Sequence, residues 1–292
     1  MRRDCRRGGG TLLFVVATPI GNPADITQRA VDVLAGVDVI AAEDTRRCRR
    51  LLAQLGISRP VIAYHDHNEA SRGAGLLRRL GEGDSVALVA DAGTPLISDP
   101  GYRLVRDARA AGVTVVAVPG PCAAIAALSV AGLPTDRFVF EGFLPARSAA
   151  RQARLAELAT ETRTLVFYES PRRILETLRD VAQTIGGGRR CVLARELTKV
   201  HETVLGGSVD DVLLKVEGDP EQQLGEVVLL LDGAEAIVEQ NEVSVSLDVL
   251  LKALLERMSL SEAVACAAQI SGRARNEVYR SALALRPTEA SR

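Results

Sequence analysis

Polar, acidic and glycine-containing segments follow five short apolar runs in the first half of the sequence. They occupy residues 18–22, 43–46, 65–69, 91–95 and 119–122. Two of them hold carboxylates that turn formation does not require, in the pair Glu43-Asp44 and in Asp91. A carboxylate beside a bound hydroxyl can orient that hydroxyl or accept its proton. The spacing therefore predicts a cleft with acid–base groups, although Glu43-Asp44 is equally typical of a helix start.

The segment best suited to hold a nucleotide-like ligand is DAGTPLISDPG, residues 91–101. Gly93 permits close approach of the backbone, and the prolines stiffen the loop. The sequence has no G-x-G-x-x-G after a predicted strand and no P-loop signature. The usual dinucleotide and P-loop modes of phosphate binding are therefore excluded.

The histidines do not predict a metal site. His65 and His67 lie two residues apart, and in an extended segment both would face one side, with Glu69 continuing it. The chain has three histidines in all, and the third is not near this pair in the sequence. The pattern favours a polar or substrate-contacting loop over a zinc site.

Two charged motifs stand in the second half of the chain, YESPRR at residues 168–173 and RELTKVHE at residues 195–202. The first predicts a helix capped by Ser170 with Pro171 in its first position. The motif also holds Glu169 and two arginines, and the arginines could contact phosphate. The second surrounds Lys199, one of three lysines in the chain. An exposed loop explains this second motif as well as a functional site does.

The elements that must position these residues alternate regularly before residue 135. Strands are predicted at residues 12–17, 37–42, 61–64, 86–90 and 113–118. Helices are predicted at residues 26–34, 46–55, 74–80, 102–110 and 123–130. Strands that are apolar on both faces and alternate with helices are typical of a mainly parallel, doubly wound sheet. In such a sheet, ligands bind beyond the carboxyl ends of the strands, where the five polar segments fall.

The α/β pattern is less regular after residue 136, which favours a second domain with a mixed sheet. Strands are predicted there at 138–140, 164–168, 190–194 and 227–231, with helices at 151–159 and 172–185. Residues 246–285 predict two or three short helices. The expected organisation is a basic disordered extension at 1–10, an α/β domain at 11–135, a second α/β domain at 136–235 and a helical segment at 240–292.

Composition limits the classes of protein. The 36 basic and 37 acidic residues give a net charge of −1. The chain therefore lacks the basic excess that is typical of nucleic-acid-binding domains. With four Tyr, five Phe and no Trp, the chain lacks the aromatic supply of base-stacking platforms in single-strand-binding folds. Five widely spaced cysteines suit a reducing compartment. The first apolar run is too short for a signal peptide, and no stretch is long enough to span a membrane, so we expect a soluble cytoplasmic protein.

Eight motifs in order and spacing resemble the tetrapyrrole (corrin/porphyrin) methylase superfamily, and within it the branch that acts on small-subunit ribosomal RNA. They are VVATPIGNPADITQRA, AAEDTRR, YHDHNE, VADAGTPLISDPGYRLV, VPGPCAAIAAL, FEGFLP, FYESPRRI and RELTKVHE. The resemblance covers residues 11–235 and continues weakly into the tail. It implies a two-domain methyltransferase that uses S-adenosylmethionine, forms a homodimer and methylates the 2′-hydroxyl of a decoding-centre cytidine in 16S rRNA, with the rRNA or the small ribosomal subunit as its partner.

The resemblance also implies which residues line the cofactor site. These are Asp91, Gly93, Thr94, Pro95, Ile97, Ser98, Gly120, Pro121, Cys122, Ala123, Tyr168, Arg195, Leu197 and Thr198.

Methyl transfer to a ribose needs a group that takes the proton of the hydroxyl. We expect Asp44 or Glu43 to do so, with Glu169 as the second choice, while Lys199 offsets the charge that develops on the oxygen. Contacts with the RNA substrate are expected from Asn22, Arg46, His67, Asn68, Glu69, Arg147 and Arg172. Arginine clusters at 46–50 and 147–154 and in the tail would supply phosphate contacts.

Two other functions remain open at this point. One is a C-methyltransferase of tetrapyrrole precursors, although TPIGNPAD replaces the GPGDPE-like opening loop expected of those enzymes. The other is a non-catalytic RNA-binding factor on the same fold, against which the intact DAGTP and RELTK motifs argue.

Overall fold

The computed structural model of the chain describes residues 11–66, 68–235 and 246–285. The chain divides into two compact units, Met1–Glu235 and Ala236–Arg292. The predicted extension at 1–10 and His67 lie outside the described residues. The domain boundaries drawn from the sequence stay a prediction.

The first sheet has five strands in the order β3-β2-β4-β1-β5. The strands are β1 (Leu12–Val16), β2 (Val39–Ala42), β3 (Val61–Ala63), β4 (Val86–Val89) and β5 (Thr114–Val118). The helices that follow them are α1 (Gln28–Gly36), α2 (Thr45–Gln54), α3 (Glu69–Gly81), α4 (Tyr102–Ala110) and α5 (Ala123–Ala131). Every pair of neighbouring strands is parallel, which confirms the predicted sheet.

Both faces of this sheet are covered because successive strand residues point to opposite sides. In β1, Phe14 and Val16 pack against α1 and α2, whereas Leu13 packs against α3 and α4. Thr27 caps α1 by accepting a hydrogen bond from the Ala30 N–H.

The second sheet is mixed, in the order β6-β7-β10-β8-β9. Its strands are β6 (Phe138–Phe143), β7 (Thr164–Glu169), β8 (Arg190–Arg195), β9 (Thr203–Ser208) and β10 (Val227–Leu231). Its helices are α6 (Ser148–Leu158), α7 (Ile174–Val181), which a π-turn at Ala182–Gly186 extends, and α8 (Val209–Gly218). Only β6 and β7 pair in parallel among the described strands of this sheet.

Helix α5 joins the two sheets into one unit. Helices α6, α7 and α8 cover one face of the second sheet. The other face packs on Ala124, Ala127 and Leu128 of α5, which follows the last strand of the first sheet. This apolar helix therefore fixes the strand ends of the first sheet beside those of the second.

In the second unit, residues 246–285 form three helices, α9 (Leu247–Leu255), α10 (Leu260–Ser271) and α11 (Arg275–Ala284). Its core is formed by Leu251, Val264, Ala267, Val278 and Ala282. Ser259 and Glu262 form a capping box at the start of α10, which ends at Gly272 in the left-handed conformation. No helix among the described residues is long and apolar enough to cross a membrane.

Candidate active site

A cavity of about 340 Å³ lies within the first unit, bordered by loops of both sheets. Residues after β2 and β4 line one side, and residues of β7, β8 and β10 line the other. The lining combines apolar side chains such as Ile20 and Leu197 with the acidic residues Glu43, Asp91 and Asp99. Its volume falls in the usual range for small-molecule sites, roughly 300–1,000 Å³.

The loop after β4, residues 90–101, is tied to two other loops. Gly93 and Thr18 exchange backbone hydrogen bonds of 2.9 and 3.0 Å, which joins this loop to the end of β1. The Thr94 hydroxyl donates to the Pro121 carbonyl at 2.9 Å, which joins it to the loop after β5. The floor of the cavity is therefore braced at three strand ends.

Backbone strain is concentrated around this cavity. Among the residues that the structure describes, four non-glycine residues have positive φ: Leu96 at 73°, Ser98 at 63°, Glu196 at 51° and Thr198 at 68°. Two belong to the loop after β4 and two to the loop after β8. Each such conformation costs roughly 1–3 kcal/mol and is common at functional sites.

Five acidic residues line the cavity, and three of them, Glu43, Asp91 and Asp99, act on one another electrostatically. Asp91 accepts a hydrogen bond from the Asp44 N–H at 2.8 Å and pairs with Arg47 at 3.3 Å. Burial, and then repulsion from Glu43 and Asp91, raises the pKa of Asp99 to about 7. Burial and the charge of Asp91 also raise the pKa of Glu43. With this pKa, Asp99 can exchange a proton near neutral pH.

Asp44 does not line this cavity. It is the N-cap of α2, and its carboxylate accepts from both the backbone and the guanidinium of Arg46. Hydrogen bonds from the side chain and then the backbone of Arg46 lower the pKa of Asp44 to about 2. The helix-start interpretation of Asp44 fits this geometry better than a role in proton transfer.

The carboxylate of Glu169 is fully buried and has several partners. It pairs with Arg173 at 3.0 Å and accepts from the Thr177 hydroxyl at 2.8 Å and the Ser170 N–H at 2.7 Å. It is positioned to anchor the start of α7. The predicted cap at Ser170 is wrong, because α7 begins at Ile174 and Arg173 occupies its N-cap position.

Lys199 pairs with two carboxylates. Its Nζ lies 2.7 Å from Glu196 and 3.0 Å from Glu226, and Glu226 lines the cavity. Asn22 donates its N–H to the Thr198 hydroxyl at 3.0 Å, so the loop after β8 also meets the loop after β1.

The predicted cofactor residues divide into two groups. Those lining the cavity are Asp91, Gly93, Thr94, Ile97, Ser98, Ala123, Tyr168 and Leu197. The others are not part of the lining: Pro95, Gly120, Pro121, Cys122, Arg195 and Thr198. Arg195, for example, is buried and donates to the carbonyls of Leu224 and His201.

None of the predicted substrate residues in the described part of the chain lines the cavity. Glu69 accepts from the Tyr64 hydroxyl at 2.9 Å, and Asn68 bonds to the backbone of His65 and Ala63. The structure does not describe His67. The predicted contacts of the described residues with RNA stay a prediction.

The arginine cluster on α6 is smaller than the sequence suggests. Arg151 is 1% exposed and pairs with Asp180 at 2.6 Å, so the expectation that it contacts phosphate is wrong. Arg154 is occupied by Glu141 and Glu157. Arg147 remains exposed before α6, as does Arg172 before α7. On α2, Arg46, Arg47, Arg49 and Arg50 are all exposed.

Sequence reasoning missed several lining residues. They are Ile20, Arg47, Ala92, Asp99, Phe143, Ala194, Glu226, Val227 and Val228. Asp99 lies within the DAGTPLISDPG motif. In the described part of the chain, no group of three or more His, Cys, Asp and Glu side chains is arranged as a metal site.

The profile of the Tetrapyrrole (Corrin/Porphyrin) Methylases matches residues 12–213, which contain the whole first sheet and strands β6 to β9 of the second. The chain belongs to this family. A second profile, the RsmI C-terminal HTH domain, matches residues 241–286.

Curated relatives within the family are methyltransferases, and so is this chain. It is 51% identical to "Ribosomal RNA small subunit methyltransferase I" of Escherichia coli O157:H7, covering 93% of this chain and 94% of the relative. The protein of the same name from Pseudomonas aeruginosa is also 51% identical, over 93% and 96% of the two chains.

Solved structures of tetrapyrrole methylases share the fold. The methyltransferase CobJ superposes with a TM-score of 0.57 at 20% identity, covering 77% of this chain and 95% of CobJ. Cobalt precorrin-4 methyltransferase CbiF gives a TM-score of 0.56 at 18% identity, over 76% and 95%.

Proposed function

We propose that this methyltransferase transfers a methyl group from S-adenosylmethionine to the 2′-hydroxyl of a cytidine ribose in the decoding centre of 16S rRNA. The names of its relatives, at about half identity over nearly the full length, support this substrate over a tetrapyrrole precursor. The observation that carries the proposed chemistry is a single cavity that combines apolar walls with a carboxyl of near-neutral pKa.

The cavity suits a cationic nucleoside donor. Ile20, Ile97 and Leu197 supply apolar surface for an adenosine, and Gly93 lets the backbone approach closely. The carboxylates of the lining outnumber its single arginine, Arg47, which favours a positively charged ligand. When bound, S-adenosylmethionine supplies an electrophilic methyl group on a sulfonium.

Among the acidic groups, Asp99 is the best placed to accept the proton of the ribose hydroxyl, with Glu43 next. Both line the cavity, and burial favours their protonated forms. A base with a pKa near the working pH combines a free lone pair with a sufficient affinity for the proton. Asp44 and Glu169 are bound by local partners and are weaker candidates.

We assign Lys199 to the support of the loop after β8. Its two ion pairs join Glu196, whose φ is 51°, to Glu226 on the strand side of the cavity. This position supports a role in holding the wall of the site, while the offset of charge on the reacting oxygen stays a prediction.

We also propose a homodimer in the cytoplasm. The outer face of α5 carries Ile125 and Val130, which are 52% and 49% exposed, and its sequence AAIAALSVA contains no charge to keep that face in water. A second copy is a natural cover for such a face. Sedimentation of the wild type and of an Ile125→Asp variant tests this, since a monomeric wild type would contradict it.

The decisive experiment for the reaction uses small ribosomal subunits from a strain without the methyltransferase. Purified protein and methyl-labelled S-adenosylmethionine should label 16S rRNA, and nucleoside mass spectrometry should find 2′-O-methylcytidine. A parallel incubation with a precorrin should remain unlabelled. Label in the precorrin but not in the rRNA would overturn the proposal, and label in neither would favour a non-catalytic RNA-binding factor.

A further inference from the structure

Phe143 is an exposed aromatic side chain on the wall of the cavity. It ends β6 and is 58% exposed, yet it belongs to the lining. Other apolar lining residues are less exposed, with Ile97 at 36%, Leu197 at 9% and Ile20 at 8%. A large apolar ring left open at the edge of a polar cleft indicates a surface for a ligand.

A β-bulge places this ring. The register between β6 and β7 shifts between Phe140 and Gly142, and Gly142 has a φ of 66°. In a regular strand, residues three apart point to opposite faces. The extra residue brings Phe140 and Phe143 to the same neighbour, Tyr168. Bulges that redirect a side chain in this way are frequent beside active sites.

Tyr168 braces the ring from behind. The ring centroids of Phe143 and Tyr168 lie 5.8 Å apart at an interplanar angle of 63°, an edge-to-face contact. Phe140 makes a similar contact with Tyr168 at 4.9 Å. The Tyr168 hydroxyl in turn accepts a hydrogen bond from the Ala124 N–H at 3.2 Å, at the start of α5. Phe143 is therefore held in place while much of its surface stays open.

We propose that Phe143 is the stacking surface for the base of the target nucleotide. The inference rests on the proposed function, because a ribose hydroxyl reaches the carboxyls of the cleft only if its nucleotide leaves the RNA stack. An unstacked base regains contact by lying on an aromatic ring, as single-stranded RNA does on proteins. A single ring suffices, so the scarcity of aromatic residues in this chain is no obstacle.

The adenine of the methyl donor is the other planar group that this ring could receive. The buried apolar residues Ile20 and Leu197, together with Ala194, already offer the donor a closed surface. Phe143, the most exposed of these apolar side chains, is left for the second substrate. If the ring stacks on adenine, a substitution of Phe143 should weaken donor binding. If it stacks on the target base, the substitution should lower activity on the RNA and leave donor binding intact.

The test compares Phe143→Leu and Phe143→Ala with Phe143→Tyr, using Phe138→Ala as the matched control. Phe138 starts the same strand, is 38% exposed and is not part of the lining. Two quantities are measured with the intact protein: the affinity for S-adenosylhomocysteine by calorimetry, and kcat/KM for undermethylated small subunits. Melting temperatures identify any variant that is misfolded, and Phe143→Leu keeps most of the apolar volume.

We expect Phe143→Ala to lower kcat/KM for the subunit about 5- to 150-fold, the range for loss of one stacked base. Phe143→Leu should fall between Phe143→Ala and the wild type, and Phe143→Tyr and Phe138→Ala should stay close to the wild type. Affinity for S-adenosylhomocysteine should stay within about twofold in every variant. Equal loss of donor affinity would assign the ring to adenine, and full activity of Phe143→Ala would exclude any stacking role. A wild type that binds the donor but labels no rRNA would refute the proposed function itself.

Discussion

Asp99 differs from the other acidic side chains of the cleft in what surrounds it. Asp91 has Arg47 and a backbone N–H as partners, and Asp44 has Arg46. The charged groups that act on Asp99 are acidic, namely Glu43, Asp91 and Asp66. Together with burial, this difference explains why the pKa of Asp99 is raised to about 7, whereas hydrogen bonds from Arg46 lower the pKa of Asp44 to about 2.

Replacing this carboxyl should remove a pH dependence along with the rate. In the wild type, kcat/KM should rise with pH up to about 7, because the base must lose its proton first. Asp99→Asn should lower kcat/KM at pH 8 by roughly 10²- to 10⁴-fold and flatten this limb of the profile. Asp44→Asn, which removes the same charge outside the cavity, should keep the wild-type profile. A sloping profile in Asp99→Asn would assign the proton to another group, with Glu43 tested next.

The same substitution should stabilise the fold in alkaline buffer. The pKa of Asp99 is raised to about 7 in the folded protein from 3.8, so folding loses stability as pH rises between these values. Asp99→Asn has no charge to bury, and its melting temperature should exceed that of the wild type at pH 8 but not at pH 4. Thermal unfolding at both values checks this. An equal shift at both would show that shape and not charge is responsible.

At the residue scale, motif positions were predictable but electrostatic environments were not. Asp91, Gly93 and Thr94 could be assigned because their types and their place after β4 already indicate a ligand loop. The role of Asp99 could not be predicted, because its pKa depends on burial and on Glu43, which is 56 positions earlier in the sequence. The prediction that Arg151 contacts phosphate was wrong for the same reason, since the residue is buried by packing between α6 and α7.

Gly101 fixes where the ligand loop ends and α4 begins. Its φ is 135°, and a Cβ there would lie 2.7 Å from the Leu88 side chain in β4. Any side chain would therefore push the end of the loop, including Asp99, away from the sheet.

Gly101→Ala should lower the free energy of unfolding by at least the roughly 1–3 kcal/mol of a strained backbone, and it should also weaken donor binding. Gly112→Ala is the matched control, because Gly112 has a φ of 76° but open space where the Cβ would lie. It should lose stability by strain alone and keep donor affinity. Urea unfolding and calorimetry measure the two effects. Equal effects of the two substitutions would show that the contact with Leu88 is unimportant.

At the element scale, apolar strands and amphipathic helices were predictable, and edge elements were not. Helix α4 matches its predicted bounds, and the strands of the first sheet differ from theirs by one or two residues. Strand β9 was missed because TVLGGS is an edge strand with two glycines and little apolar signal. Helix α8 was missed with it, although the capping box of Ser208 and Asp211 marks its start. The bulge at Gly142 depends on pairing with β7 and was not visible in the sequence.

The charge of the whole molecule is nearly balanced, but the two signs are placed differently. Acidic groups gather in the cleft, where a cationic donor would bind, while arginines are exposed on α2 and in the second unit. The net charge of −1 could be counted in the sequence. Which arginines stay free for phosphate could not, because ion pairs such as that of Arg151 form only in the fold.

The second unit offers the clearest test of this placement. Arg273, Arg275 and Arg280 are exposed at the turn before α11 and along it. Each phosphate contact that is lost reduces the slope of log affinity against log salt by about 0.7–0.9. Replacing all three with Gln should therefore weaken binding to the small subunit and reduce this slope by up to about 2–3. Affinity for S-adenosylhomocysteine should not change, since the cavity belongs to the first unit.

Lys252→Gln with Arg257→Gln is the control, because both residues are exposed in the same unit but lie on or just after α9. Filter binding of subunits across a salt series distinguishes the two sets. If only the triple substitution reduces the slope of log affinity against log salt, the arginines at the start of α11 and along it contact phosphates directly. An equal reduction per charge in both sets would show that the second unit attracts RNA through its overall charge. An unchanged slope in the triple variant would remove these arginines from the RNA contact altogether. The RNA affinity of a chain with no basic excess would then have to come from exposed arginines of the first unit, such as those of α2, Arg147 and Arg172.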